Sequence, residues 1–168
     1  TNNFGFRMDE ESSVNVAYLA VEEGINFIDT ANSYGRYLSE ERIGIAFKDI
    51  RKNVLIATKF GNGMGDGPNT RGASRHHIMQ QVEGSLRALQ TDYIDLYIIH
   101  RPDTNTPIEE TIRAMDDLVH QGKVRYIGCS NFSAWQLCEA IWTSKALNLA
   151  PFTSVQNEYN MLNRSVER

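Results

Sequence analysis

Short apolar runs alternate with helical patterns along this chain, and three of the runs end in a charged or titratable residue. Ile25-Asn26-Phe27-Ile28 ends at Asp29, Val54-Leu55-Ile56-Ala57-Thr58 at Lys59, and Ile94-Asp95-Leu96-Tyr97-Ile98-Ile99 at His100. Tyr34 follows shortly after Asp29, in the loop. Strands joined through helices run parallel, so their C-terminal ends all face one way. A carboxylate, a phenol, an ammonium and an imidazole then converge on one side of the sheet. In a β/α barrel that is the side on which the chemistry takes place.

The remaining elements fit the same period. A helix is expected over Asp9–Glu23, with Val14, Ala17, Tyr18 and Val21 on one face and Gly24 as its stop. The strand 25–28 follows, then a short helix 39–48 with Ile43, Ala46 and Phe47 inward, then a strand over 53–58. Gly61 to Gly72 reads as a mobile glycine-rich loop over the substrate mouth; it has neither a P-loop ending nor a dinucleotide fingerprint. Ser74 caps a helix running to about Gln90, and the strand 94–99 is apolar nearly throughout, as one covered on both faces should be. Pro107 opens a helix to about Gln121, 124–128 is a strand, Ser133 caps a helix to about Lys145, and 152–155 is the last strand. Thr1–Phe4 reads as the stub of a further strand.

Phenols ionise near pH ~10 and donate protons poorly at neutrality. A neighbouring ammonium stabilises the phenolate, and a carboxylate holds that ammonium in place and charged. An imidazole can hydrogen-bond a carbonyl oxygen or relay a proton. Tyr34, Lys59, Asp29 and His100 together suit protonation of a carbonyl oxygen while hydride reaches its carbon, and that hydride implies a nicotinamide cofactor. Taken singly, Asp29 reads as a cap, Tyr34 as a packing aromatic and Lys59 as a solvated lysine; the joint pattern carries the catalytic reading.

The net charge of −4 offers no basic stripe for nucleic acid, and no apolar run reaches membrane-spanning length. Cys129 and Cys138 fit no metal or disulfide spacing and read as reduced packing residues of a cytoplasmic protein. His76-His77, Glu109-Glu110 and Asp116-Asp117 read as solvated, with no metal site, and Trp135 and Trp142 as helix packing.

Read together, the segments resemble the aldo-keto reductases. The matching stretches are Phe27-Ile28-Asp29-Thr30-Ala31-Asn32-Ser33-Tyr34-Gly35, Ile56-Ala57-Thr58-Lys59-Phe60-Gly61, residues 92–103 around His100, residues 122–132 ending Cys129-Ser130-Asn131-Phe132, and Val155-Gln156-Asn157-Glu158-Tyr159-Asn160. The last stretch looks most like the branch that holds bacterial aldo-keto reductases and potassium-channel β subunits. The resemblance implies a single domain over 1–168: a partial (β/α)8 TIM barrel, about strands 1/2 to 6 with their helices, incomplete at both ends. It implies reduction of aldehyde or ketone carbonyls with NADPH, NADH not being excluded. Tyr34 would be the general acid, Lys59 its pKa-lowering partner, Asp29 the partner of Lys59, and His100 the residue that orients the carbonyl. Ser130, Asn131 and Gln156 match positions that hold the nicotinamide carboxamide; Thr1 and Asn2 match the end of the first strand, beside the nicotinamide. A small-molecule carbonyl substrate is the implied partner, and open sheet edges make a homo-oligomer conceivable. The alternatives are a cofactor-binding regulatory module like a channel β subunit and a catalytically inert fragment. A histidine at position 100 favours catalysis, because channel β subunits can differ there.

Overall fold

The computed structural model describes residues 1–167. Five parallel strands form one curled sheet in the order β1 (Phe27–Asp29), β2 (Leu55–Phe60), β3 (Ile94–Ile99), β4 (Val124–Ser130) and β5 (Phe152–Gln156). Helix α1 (Glu10–Glu22) precedes β1, and α2 (Leu38–Phe47), α3 (Arg75–Ala88), α4 (Ile108–His120) and α5 (Ala134–Leu147) follow successive strands. The strand–helix alternation is therefore realised as a half-barrel, the partial (β/α)8 architecture expected. No helix among the described residues is long and apolar enough to cross a membrane.

Strand register decides which side chains face inward. Lys59 pairs with Ile98, Ile98 with Gly128, and Ser130 with Gln156. Alternation along each strand then puts Asp29, Lys59, His100, Ser130 and Gln156 on one face, at its C-terminal rim. The opposite face carries Ile56, Thr58, Phe60, Tyr97, Ile99 and Cys129, all fully or almost fully buried. These pack beneath α2, α3 and α4, where Ile43, Phe47, Ile78, Val82, Ile112 and Met115 close the core. Phe60 and Tyr97 stack there with ring centroids 4.8 Å apart.

Several expectations are corrected. Thr1–Phe4 is no strand: Asn2–Gly5 form a 3-10 turn, with the Phe4 amide donating to the Thr1 carbonyl at 2.9 Å. Gly5 presses directly on the Tyr34–Gly35 peptide, and a Cβ at Gly5 would stand 2.5 Å from the Tyr34 carbonyl carbon. That approach needs glycine, and it makes the turn a buttress for the Tyr34 loop. β1 begins at Phe27 rather than Ile25, and β2 extends through Lys59 to Phe60. Pro107 is the cap residue of α4 rather than part of its first turn.

Cys129 is buried as expected, but Cys138 is exposed. Trp135 and Trp142 are exposed as well, on the outer side of α5. His77 and Asp116 are buried, not solvated. His77 Nδ1 faces the Asn69 carbonyl at 2.9 Å, and the Asp116 carboxylate accepts from the Ala150 amide at 2.7 Å. Both act as internal clamps on chain turns, which residue type alone does not announce.

Candidate active site

Lys59 stands at the inner rim of β2 with its side chain almost wholly buried. Its Nζ lies 2.7 Å from both Asp29 oxygens, with Oδ2 in hydrogen-bond geometry, and donates to the Thr30 carbonyl at 2.9 Å. The ladder continues past β1 to hold these groups level: the Thr30 amide donates to Ala57 at 2.8 Å and the Asn32 amide to Lys59 at 3.0 Å. Burial lowers the pKa of Lys59, and the Asp29 charge opposes that.

Tyr34 hangs over this pair from the β1–α2 loop. The Lys59 ammonium is 5.3 Å from the Tyr34 ring centroid. Backbone bonds within 31–39 fold the loop tightly, with the Tyr34 amide on Ala31 at 3.1 Å and the Ser39 amide on Tyr34 at 3.1 Å. Buried Asn32 donates to Gln81 at 2.9 Å, and Tyr37 to the same oxygen at 2.6 Å, fixing the loop to α3. Among the described residues no partner occupies the Tyr34 hydroxyl.

The Tyr34 phenol departs from expectation in its acidity. Its pKa is raised, first by burial and then by the Asp29 carboxylate. The physical reason is that a half-buried phenolate loses hydration and faces the Asp29 carboxylate, and both disfavour its negative charge. Tyr34 therefore holds its proton at neutrality, as a general acid must.

His100 meets Tyr34 edge-on, ring centroids 5.9 Å apart at 78°. The His100 amide donates to Phe60 at 2.8 Å, extending the β2–β3 ladder. Burial, then the charges of Lys59 and Arg101, push its pKa down to about 4, so the ring is neutral at pH 7. Asn62 Nδ2 stands 3.0 Å from Nδ1 and also bonds Ser33 Oγ at 3.3 Å. With Asn62 donating, Nδ1 is the acceptor and the ring proton sits on Nε2. Nε2–H has no partner among the described residues and is free to donate toward the space beside Tyr34. Asn62 is a site residue that the sequence reading missed; only its place directly after the Lys59 strand pointed to it.

The third group lies at the ends of β4 and β5. Ser130 Oγ donates to the Gln156 carbonyl at 2.6 Å. Asn131, at φ 60°, donates through Nδ2 to the His100 carbonyl and to Ser130 Oγ, each at 3.0 Å. Among the described residues, Asn131 Oδ1 and the whole Gln156 side-chain amide remain unbonded. A carboxamide needs acceptors for its NH2 and a donor for its carbonyl, and Asn131 Oδ1 with the Gln156 amide offers both. Thr1 Oγ1 donates to the Asp29 carbonyl at 2.8 Å, which brings it to the mouth. Asn2 is exposed at the start of the 3-10 turn, away from the tetrad's hydrogen bonds.

The curled parallel half-barrel thus carries a lysine–carboxylate pair, a free phenol and a neutral imidazole at its C-terminal rim. The family model for the Aldo/keto reductase family matches residues 1–168, and the chain belongs to that family. It is 43% identical over 161 residues to the aldo-keto reductase YhdN of Bacillus subtilis (strain 168), covering 95% of this chain and 47% of that protein. It is 38% identical over 164 residues to a probable voltage-gated potassium channel subunit beta of Oryza sativa subsp. japonica, covering 96% of this chain and 50% of that protein. The crystal structure of a thermostable aldo-keto reductase, Tm1743, in complex with the inhibitor epalrestat superposes with TM-score 0.83 at 38% identity, over 95% of this chain and 54% of the other. The chain thus spans about half the length of the curated relatives it matches.

Proposed function

We propose that the protein reduces aldehyde or ketone carbonyls to alcohols with NADPH, using Tyr34 as the proton donor. The observation that carries this reading is the pair of unoccupied donors on one mouth, the Tyr34 hydroxyl and His100 Nε2–H, with the Lys59–Asp29 pair directly behind. A substrate carbonyl oxygen accepts from both donors and is held there. A nicotinamide held by Asn131 and Gln156 would supply the hydride. Tyr34 gives up its phenolic proton to the developing alkoxide, and the nearby Lys59 ammonium stabilises the phenolate that remains. Neutral His100 orients the carbonyl, and Asn62 keeps its proton on Nε2. Asn131 and Gln156 hold the carboxamide, with Ser130 bracing Asn131.

The test is carbonyl-dependent NADPH oxidation by the complete gene product. Tyr34→Phe removes the donor while keeping the ring, so turnover should fall at least ~100-fold. Near-normal turnover in that variant would refute the assignment. Likeness to potassium-channel β subunits favours a second reading, in which the site binds cofactor and the protein serves a partner. NADPH binding with negligible turnover on any aldehyde would favour it.

A further inference from the structure

A cleft of about 400 Å³ opens beside His100, between the β2–α3 and β3–α4 loops. Asn62 forms part of its wall and is also the residue bonded to His100 and to Ser33, the neighbour of Tyr34. The cleft therefore begins one side chain away from the position of the reacting carbonyl.

Two arginines, Arg71 and Arg101, line the cleft from opposite loops. Among the described residues neither has an ion-pair partner, whereas Arg51, Arg75, Arg113 and Arg164 do. One carboxylate, Asp103, also lines it, but that group is spent on the scaffold. Asp103 Oδ2 accepts from the Ala73 amide at 2.8 Å and from Thr106 Oγ1 at 2.8 Å, and Oδ1 from the Asn105 amide at 3.0 Å. Ser74, the N-cap of the long helix α3, forms another part of the wall, so the positive end of that helix adds to the field.

The backbone that carries the arginines is fixed. Gly72, at φ +93°, donates to the Gly61 carbonyl at 3.0 Å and ties the long loop across its base. A Cβ there would stand 2.6 Å from Asp103 Oδ2, so the two loops approach as closely as glycine allows. Arg71 is thus anchored immediately before this junction, and Arg101 immediately after His100. On a chain of net charge −4, two exposed arginines against the single carboxylate of Asp103 leave the lining of this cleft net positive beside the reaction centre.

We infer that this cleft is an oxyanion subsite, and that the favoured substrates are carbonyl compounds bearing a carboxylate or phosphate at the end away from the reacting carbon. The inference rests on the carbonyl-reducing function proposed above. The planar guanidinium fork matches either oxyanion, and two of them from separate loops can clamp it. The long loop then sets specificity through Arg71 at its base.

The experiment compares two substrate pairs in the complete gene product: 4-carboxybenzaldehyde against benzaldehyde, and glyceraldehyde 3-phosphate against glyceraldehyde. Wild type should prefer the charged member in kcat/KM, and the pair with the larger ratio identifies carboxylate or phosphate as the natural group. In R71Q/R101Q the larger ratio should fall about tenfold or more, the low end for lost charge-assisted hydrogen bonds. R71K/R101K should restore part of it. Ratios near one in wild type, or an unchanged ratio in R71Q/R101Q, overturn the subsite. If wild type reduces none of the four, the functional reading has failed and the subsite is judged by binding. For that, terephthalate and inorganic phosphate are titrated into the protein without cofactor, followed by amide NMR shifts at Asn62, Gly72 and Arg101. Salt-sensitive shifts of those amides that disappear in R71Q/R101Q support the subsite; their absence in wild type refutes it.

Discussion

Burial raises the pKa of Tyr34, the charges of Lys59 and Asp29 act on top of it, and two charge-removing substitutions should move the phenol in opposite directions. At 5.3 Å from the ring centroid, a full positive charge interacts with a phenolate by about 3 kcal/mol at an effective dielectric of ~20. Tyr34 is only half-buried and the Asp29 side chain is 33% exposed, so screening cuts this to about 1.4 kcal/mol, or about tenfold in the acid dissociation constant. Lys59→Met leaves the Asp29 charge unopposed, so Tyr34 should become a weaker acid by about that factor. Asp29→Asn removes the carboxylate that raises the phenol's pKa, so Tyr34 should become a stronger acid. Titration of 13Cζ-labelled tyrosine by NMR, with the Tyr34 signal identified by its loss in Tyr34→Phe, reads both changes directly. Lys59→Met should also cost about 1–3 kcal/mol of stability, below the full penalty for breaking a buried pair because water reaches Asp29. Movement of the Tyr34 titration in the same direction in both variants would refute the opposed-charge account, as would no movement in either.

Three further outcomes follow from particular contacts. His100→Ala should lower kcat for carbonyl reduction while leaving NADPH affinity within a few-fold, because Asn131 bonds the His100 backbone carbonyl, which alanine keeps; fluorescence titration beside steady-state kinetics checks this. Glu40 is fully buried beneath Thr58, which donates to it at 2.6 Å, and burial pushes its pKa from 4.5 to about 7. The folded state thus holds this proton more tightly than the unfolded chain, so the stabilisation is complete below pH 4.5 and fades as pH rises through 7. Relative to Glu40→Gln, wild type should lose about 3 kcal/mol over that window in denaturant melts. Gly5→Ala should displace the Tyr34 loop, costing about 1–3 kcal/mol and reducing turnover more than thermal stability alone explains, measured well below the melting temperature.

Much of this was legible in the sequence because strand period and strand ends are local signals. The runs closing at Asp29, Lys59 and His100 announced both the sheet and the rim, and Ser74 and Ser133 marked their helices at the positions found. What escaped was set by contacts between distant segments. Nothing local in Thr1–Phe4 distinguishes a short strand from a turn; packing of Gly5 on Gly35 decides it. Asn62 gains its role only from the fold that brings it to His100. The raised pKa of Tyr34 has the same kind of origin. Its sign is set first by how far the fold buries the ring and then by how near the Asp29 carboxylate comes, a matter of ångströms rather than residue types. Buried His77 and Asp116 look like solvated residues until the chain turns that they clamp are known.

The face that bears the site is apolar below its rim. Phe27 pairs with Leu55 in register, Leu96 with Tyr126, and Phe27, Leu55 and Tyr126 stay 48%, 46% and 61% exposed on that side. On this same face Lys59 is dry, its ammonium held by Asp29 and the Thr30 carbonyl, while its partner Asp29 is wet at one edge. This asymmetry governs how strongly the rim can act. Each charge on the mouth works through whatever dielectric lies over Phe27, Leu55 and Tyr126, and water there weakens all of them together. Any apolar cover on this face strengthens the Lys59–Asp29 attraction and the pull of Lys59 on a Tyr34 phenolate, and at the same time strips water from that phenolate. Covering the face and sharpening the charge interactions at its rim are therefore one physical event, because the register that aims Asp29, Lys59 and His100 inward aims these apolar side chains inward as well.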